Sequence, residues 1–145
     1  MIDVSDPANP TVVGTLPRPV PPADAAFTDY CQRRGSFGPK RSGGYTQPGI
    51  SRDGVLPFNF YNAGVQVFDV QAPDNPEIAA YFVPKFDESR VVSYAMGNLS
   101  HSVYTEYDRN IIWLFTNHGM YALSTPLLGE PNLGPPLSDW PSRTH

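Results

Sequence analysis

Apolar and polar residues alternate along several short runs of this chain, and alternation with a period of two is typical of half-buried β-strands. The runs are rich in β-branched and aromatic residues, and glycine, proline and asparagine separate them, which favours turns over long helices. We therefore expect an all-β fold of antiparallel sheets. The predicted strands lie near Met1–Ser5, Thr11–Leu16, Leu56–Tyr61, Val65–Val70, Glu77–Val83, Ser102–Glu106, Ile111–Thr116 and Met120–Ser124.

A hairpin unit recurs along the chain. The segments 2–17 and 68–84 carry aspartate, valine, proline, asparagine and proline in the same register, and Asp69 follows Asp3 by 66 positions. The two prolines of each unit fix the backbone and cannot donate to a sheet ladder, while the neighbouring Asp or Asn side chains favour a turn. A third, weaker copy begins at Tyr121; it keeps the apolar alternation and a proline but lacks the aspartate.

These residues carry a resemblance to a known family. The run Asp-Val-Ser-Asp-Pro-Ala-Asn-Pro at 3–10, followed by a short apolar strand, closely resembles the LVIVD repeat of bacterial β-propellers. The run 60–70 leading into 81–84 resembles the centre of a blade from that family, 102–123 resembles part of the next blade, and 32–39 resembles a loop of some members. The resemblance implies blades of four antiparallel strands. It implies little about function, because propellers host unrelated activities.

Division of the chain into blades gives one domain, in which the first and the last blade are incomplete. The first strand of the central blade, strand a, is expected in residues 44–52. These pieces supply nine strands, fewer than a ring of four four-stranded blades needs. We therefore expect the chain to form a homo-oligomer, to assemble with a partner, or to be part of a longer propeller. The pieces are a half blade at 1–16, a long irregular loop at 17–53, the central blade at 54–84, a third blade at 98–125 and a proline-rich tail at 126–145.

Charge and cysteine content narrow the classes of function. The net charge of −4 argues against binding to nucleic acid, which needs a basic surface. Cys31 is the single cysteine, so an internal disulfide is excluded. No membrane insertion is expected, and no secretory signal is recognised, although the resemblance leans towards an extracytoplasmic location. Four basic residues of the long loop form either a solvated surface or a contact for an anion or a partner: Arg33, Arg34, Lys40 and Arg41.

His101 opens the predicted inner strand of the third blade and is the leading candidate for chemistry. With a carboxylate from Asp29 or Glu106 nearby it would serve as a general base or a metal ligand, and otherwise as a hydrogen-bonded structural residue. Asp3 and Asp69 can ligate calcium, but an aspartate at such a position more often caps the turn that it precedes. No catalytic or phosphate-binding motif is present, and neither a cofactor nor a metal is expected.

Aromatic residues are plentiful in the last third of the chain, where most of them are expected to fill the blade cores. Tyr104 and Trp113 are candidates for a binding face. The sequence therefore favours a propeller-type binding or scaffolding module. The alternative is a hydrolase whose site lies at the mouth of the propeller channel and combines His101 with nearby carboxylates.

Overall fold

The computed structural model describes residues 1–33, 35–42, 54–85 and 99–131, and the structural statements below concern these ranges. They contain nine β-strands and two short 3₁₀ helices, at Tyr30–Gln32 and Pro126–Leu128. The strands are β1 (Ile2–Asp3), β2 (Thr11–Val12), β3 (Phe37–Ser42), β4 (Val55–Tyr61), β5 (Val65–Asp69), β6 (Glu77–Phe82), β7 (Ser100–Glu106), β8 (Ile111–Thr116) and β9 (Gly119–Leu123).

The strands form three antiparallel sheets, each a simple meander. The N-terminal sheet pairs β1 with β2, the central sheet has the order β3-β4-β5-β6, and the C-terminal sheet has the order β7-β8-β9. The all-β fold is thus confirmed, and the division into two, four and three strands agrees with the expected partial blades. In the described ranges no helix is long and apolar enough to cross a membrane.

The first strand of the central sheet, at its edge, differs from the sequence-based prediction. It was expected in residues 44–52, which lie outside the described residues, whereas the fourth strand of this sheet is β3, inside the segment expected to be irregular. The cause is tertiary. The Phe37 ring stacks on the Tyr30 ring at 5.5 Å and the strand pairs with β4, so packing overrides the weak β-propensity of a run that contains Gly38 and Pro39.

The repeated sequence unit folds into the same turn in both places. The Asp3 carboxylate accepts a hydrogen bond from the Ser5 amide at 2.8 Å, and the Asp69 carboxylate accepts one from the Gln71 amide at 2.9 Å. The two copies also lie side by side, because a Cβ atom added to Gly14 would stand 2.2 Å from the Pro73 carbonyl oxygen. The aspartates therefore cap turns, as the commoner reading of the repeat predicted.

Both faces of the central sheet are covered. Alternate residues of β5 point to opposite sides, so Val67 packs towards the C-terminal sheet and Phe68 packs towards the segment that follows the N-terminal sheet. Between the central and C-terminal sheets the buried apolar residues are Val65, Val67, Val103, Tyr107, Ile112, Leu114 and Leu128. On the opposite face they are Tyr30, Phe60, Ala63 and Phe68.

Candidate functional site

Two chemically versatile side chains, Lys40 and His101, meet where the central and C-terminal sheets adjoin. The register of β3 against β4 shifts between Phe37 and Arg41, and Lys40 lies within this irregular stretch. The register of β7 against β8 shifts between Ser100 and the next paired residue, and His101 lies in that gap. Bulges of this kind re-aim a side chain away from the regular pleat. Each residue therefore projects from a strand position that does not pair.

The contacts of His101 fix its protonation pattern. The Lys40 Nζ atom lies 3.3 Å from His101 Nδ1, and an ammonium group can only donate, so Nδ1 accepts. The proton then resides on Nε2, which donates to the side-chain oxygen of Asn117. The same ammonium stands 4.8 Å from the centre of the Tyr61 ring, within range of a cation–π contact. The site thus combines a cation, a neutral imidazole, an amide and an aromatic face.

A buried polar pair joins the two sheets beneath this cluster. Asn59 on β4 and Ser100 on β7 are both fully buried. The Ser100 hydroxyl contacts the Asn59 side-chain oxygen, and the Asn59 amide donates to the Ser100 carbonyl at 3.2 Å. Because buried polar groups are costly when unpaired, this reciprocal pair fixes the position of β7, and hence of the neighbouring His101, against the central sheet.

The carboxylates predicted to accompany His101 lie elsewhere. Asp29 caps the 3₁₀ helix through the Cys31 amide at 2.7 Å and forms an exposed ion pair with Arg18 at 3.0 Å. The hydrogen bond from Cys31 holds the pKa of Asp29 below its usual value. Glu106 is five residues along β7 from His101, roughly 16 Å at the usual strand rise, and its nearest ion-pair partner is Arg109 at 3.8 Å. In the contacts of the described residues, neither Asp29 nor Glu106 is therefore a partner of His101.

Cys31 is exposed and faces the same carboxylate. Its hydrogen bond with Asp29, followed by burial, raises the pKa of the thiol above the usual value. A thiol that stays protonated is a poor nucleophile and a poor metal ligand. In the ranges that the structure describes, no group of three or more histidine, cysteine, aspartate or glutamate residues could hold a metal ion.

The predicted basic cluster separates into different roles. Arg33 is structural, because its guanidinium donates to the Asn62 and Pro84 carbonyl oxygens at 2.8 and 3.3 Å and lies over the Phe27 ring. Arg34 lies outside the described residues, and Arg41 is described only by its backbone in β3. Of the two basic residues whose side chains the structure describes, Arg33 and Lys40, it is Lys40 whose ammonium contacts His101.

Tyr104 and Trp113, the aromatic residues expected at a binding face, face each other across β7 and β8 as register partners. Val103 and Thr105 on either side of Tyr104 are buried against the central sheet, so by strand alternation the Tyr104 side chain points away from it. The outer face of the C-terminal sheet, which we call the C-face, thus carries several apolar residues, of which Phe115 and Met120 are exposed and the others partly buried. Its residues are Tyr104, Ile111, Trp113, Phe115 and Met120.

The N-terminal sheet has an open apolar face of its own, which we call the N-face: Ile2, Val4 and Val12, all strongly exposed. The repeat relates these residues to covered positions of the central sheet 66 residues later, namely Phe68, which is buried, and Val70 and Ile78, which are partly buried and pack against the same cluster. The contrast in exposure is large: Ile2 is 62% exposed, whereas Phe68 is 0% exposed.

Sequence reasoning missed Tyr61 and Asn117 as members of the cluster around His101. A turn at Asn117 is visible in the sequence, since Asn-His-Gly follows a strand, but nothing in it indicates which side chain the asparagine meets. Tyr61 reads as an ordinary strand residue. Lys40 and His101 are 61 residues apart, and only the packing of β3 and β4 on β7 brings them together.

Comparison with known proteins adds nothing to this picture: no family model matches the chain, and neither a curated protein nor a solved structure matches it.

Proposed function

We propose that this chain is a propeller-type scaffolding module that assembles with further copies of itself, head to tail, through its N-face and C-face. Within this proposal it is a partial propeller of the LVIVD-repeat type. The observation that carries the proposal is that apolar positions that are buried or partly buried in the central sheet recur as exposed positions in the two end sheets.

The repeat gives each open face a direction. Residues of the N-face correspond to central-sheet residues that pack towards the preceding part of the chain. Alignment of the weaker third copy, which begins at Tyr121, with the central copy at Phe68 makes Met120 of the C-face equivalent to Val67. Val67 packs towards the following sheet. Met120 is 57% exposed and Val67 is 4% exposed. The N-face therefore lacks a preceding sheet, and the C-face lacks a following sheet. This favours contact between the N-face of one copy and the C-face of another.

A second copy is the occupant that fits both faces. Within the chain, the C-terminal sheet covers the face of the central sheet to which Val67 belongs. The C-face is the equivalent face of the C-terminal sheet, so we expect another sheet of this kind to cover it. Contact between an N-face and a C-face is heterologous, and it generates a ring if the rotation closes and a filament if it does not.

The energies are of the right size for reversible assembly. Burial of one large apolar side chain is worth about 1.5–3 kcal/mol when complete, and Tyr104, Ile111 and Trp113 of the C-face are already partly covered. Association costs on the order of 4–15 kcal/mol. Contact between most of the N-face and most of the C-face is therefore needed, and loss of one central side chain should be enough to dissociate the assembly.

The hydrolase alternative has no comparable support. His101 is held by Lys40 and Asn117, and neither Asp29 nor Glu106 contacts it. Both ring nitrogens of His101 are engaged, Nδ1 by the Lys40 ammonium and Nε2 by the Asn117 side chain, whereas a general base needs a ring nitrogen within reach of its substrate.

Sedimentation velocity at micromolar concentrations tests the proposal. We expect the wild-type chain to sediment as a dimer or larger species, and each of the single variants Ile2→Lys and Met120→Lys to sediment as a monomer. Val20→Lys is the matched control, because Val20 is 73% exposed in a loop outside both faces and should assemble like the wild type. All three positions are exposed, so the substitutions should leave the fold intact.

Mixing of the two variants separates the modes of assembly. Each variant keeps one intact face, so a head-to-tail contact predicts that the mixture forms a one-to-one heterodimer and stops there. A contact between two C-faces would instead leave Ile2→Lys dimeric on its own, and that result would overturn the head-to-tail proposal. A wild-type chain that remains a well-folded monomer would overturn self-assembly altogether.

A further inference from the structure

The meeting of Lys40 and His101 is unusual for two strands at a sheet junction. Both residues lie at register shifts, on β3 and β7 respectively, and both shifts bring their side chains to one point. Such irregularities weaken the ladder locally, and they are over-represented beside functional sites because they redirect side chains. Neither side chain contributes to the apolar clusters on the two faces of the central sheet.

Among the described residues, none neutralises the charge of Lys40. Lys40 is partly buried, and its contacts among them are the His101 imidazole at 3.3 Å and the Tyr61 ring at 4.8 Å, neither of which carries a negative charge. Among the residues that the structure describes, no carboxylate forms an ion pair with it. An ammonium has three N–H donors, and His101 supplies an acceptor for one of them.

The backbone beneath the ammonium is strained. Tyr61 has a φ of +49°, in the left-handed region that glycine and asparagine adopt readily and that a bulky aromatic residue rarely occupies. The same turn contains Asn62 and Gly64, so the residue types that tolerate this conformation are close by. An aromatic residue at the strained position places a ring face under the Lys40 ammonium, and strain of this kind concentrates at ligand sites.

We propose that Lys40 and His101 form a binding site for the oxyanion of a small ligand, a carboxylate or a phosphate group. The ammonium supplies the charge and its unused N–H donors, and Tyr61 supports it from below. His101 orients the ammonium without cancelling its charge, as a carboxylate in that place would. This site goes beyond the proposed self-assembly and does not depend on it, because neither residue belongs to the N-face or the C-face.

Titration by nuclear magnetic resonance tests the site directly. The imidazole nitrogen signals of His101 and the backbone amide signals of the chain are followed during addition of sodium acetate and, separately, of inorganic phosphate. Sodium chloride at matched ionic strength is the blank. We expect saturable shifts centred on His101 and β3, with affinity reduced at least about tenfold in Lys40→Met, which keeps the aliphatic stem and removes the charge. Lys85→Met, at an exposed lysine outside the site, should titrate like the wild type.

Lys40→Arg shows whether weaker binding in Lys40→Met comes from loss of the charge or from a changed fold, because it alters the side chain but keeps the positive charge. It should still bind, with saturation, the anion that binds the wild type. A response to acetate alone or to phosphate alone identifies the oxyanion. Shifts that remain linear for both anions, or that saturate equally in Lys40→Met, would overturn the site.

Discussion

At the scale of single residues, two buried tyrosines differ in whether the hydroxyl has a partner. The Tyr107 hydroxyl donates to the Val55 carbonyl oxygen at 3.3 Å, which ties the C-terminal sheet to β4. The Tyr30 hydroxyl is buried without a hydrogen-bond partner among the described residues, although its ring packs between Phe27 and Phe37. Burial raises the pKa of both side chains, so each is neutral at physiological pH.

Removal of each hydroxyl should therefore have opposite effects on stability. Tyr107→Phe loses a hydrogen bond and leaves a carbonyl oxygen unpaired, and we expect the free energy of unfolding to fall by about 1 kcal/mol. Tyr30→Phe removes a buried group with no described partner, and we expect no loss or a gain of up to about 1 kcal/mol. Urea unfolding of the two variants measures both changes, and a loss in Tyr30→Phe as large as that in Tyr107→Phe would contradict this account.

Single residues also mark where sequence reasoning reached its limit. The turn-capping role of Asp3 and Asp69 could be predicted, because it depends on neighbours two positions away. The partners of His101 could not, because Lys40 comes from a distant strand and both side chains are redirected by register shifts that no periodicity reveals. Asp29 and Glu106, the carboxylates considered for His101, have other partners among the described residues: Cys31 and Arg18 for Asp29, and Arg109 for Glu106.

At the scale of elements, the hairpin that contains the two prolines can be predicted from the sequence, whereas β3, the first strand of the central sheet, cannot. β5 and β6 follow from alternation and from the two prolines between them. β3 contains Gly38, Pro39 and Lys40, a combination with poor β-propensity. It is stabilised by pairing with β4 and by stacking of the Phe37 ring on the Tyr30 ring. Its position depends on tertiary contacts that the local sequence does not encode.

The N-terminal hairpin should depend on pH through Asp3. The hydrogen bond from the Ser5 amide holds the pKa of the Asp3 carboxyl below its usual value. A group whose pKa is lowered by folding stabilises the folded form above its unfolded pKa of about 3.9, and that contribution is lost as the pH falls through the lower, folded value. We therefore expect the Ser5 amide signal to stay constant from neutral pH down to about 4 and to move at lower pH.

Asp3→Asn is the control for this titration, because the amide oxygen still accepts a hydrogen bond but does not ionise in this range. The Ser5 signal should lose its acid transition in this variant. If the transition persists unchanged, another group controls the hairpin, and the turn-capping account of the repeated aspartate would have to be abandoned at this position.

At the scale of the whole molecule, the central sheet is the element on which the other two depend. It is the sheet covered on both faces, and the apolar cluster between β5 and β8 is continuous with the polar pair of Asn59 and Ser100. The number of strands in each sheet could be predicted from the repeat. The polar connection between the sheets could not, because an asparagine and a serine in strands predict no particular partner.

This connection predicts that the central and C-terminal sheets unfold as one unit. Ser100→Ala removes the hydroxyl that donates to the Asn59 side-chain oxygen, so this fully buried oxygen loses its hydrogen bond from Ser100. We expect a loss of about 1–3 kcal/mol in the free energy of unfolding, with hydrogen-exchange protection falling equally in β4 and β8. Ser102→Ala, on the same strand at a half-buried position, is the control and should change stability by less than about 0.5 kcal/mol. Loss of protection confined to β8 would mean that the C-terminal sheet opens independently, and the position of His101 beside Lys40 would then not be fixed by the sheet junction.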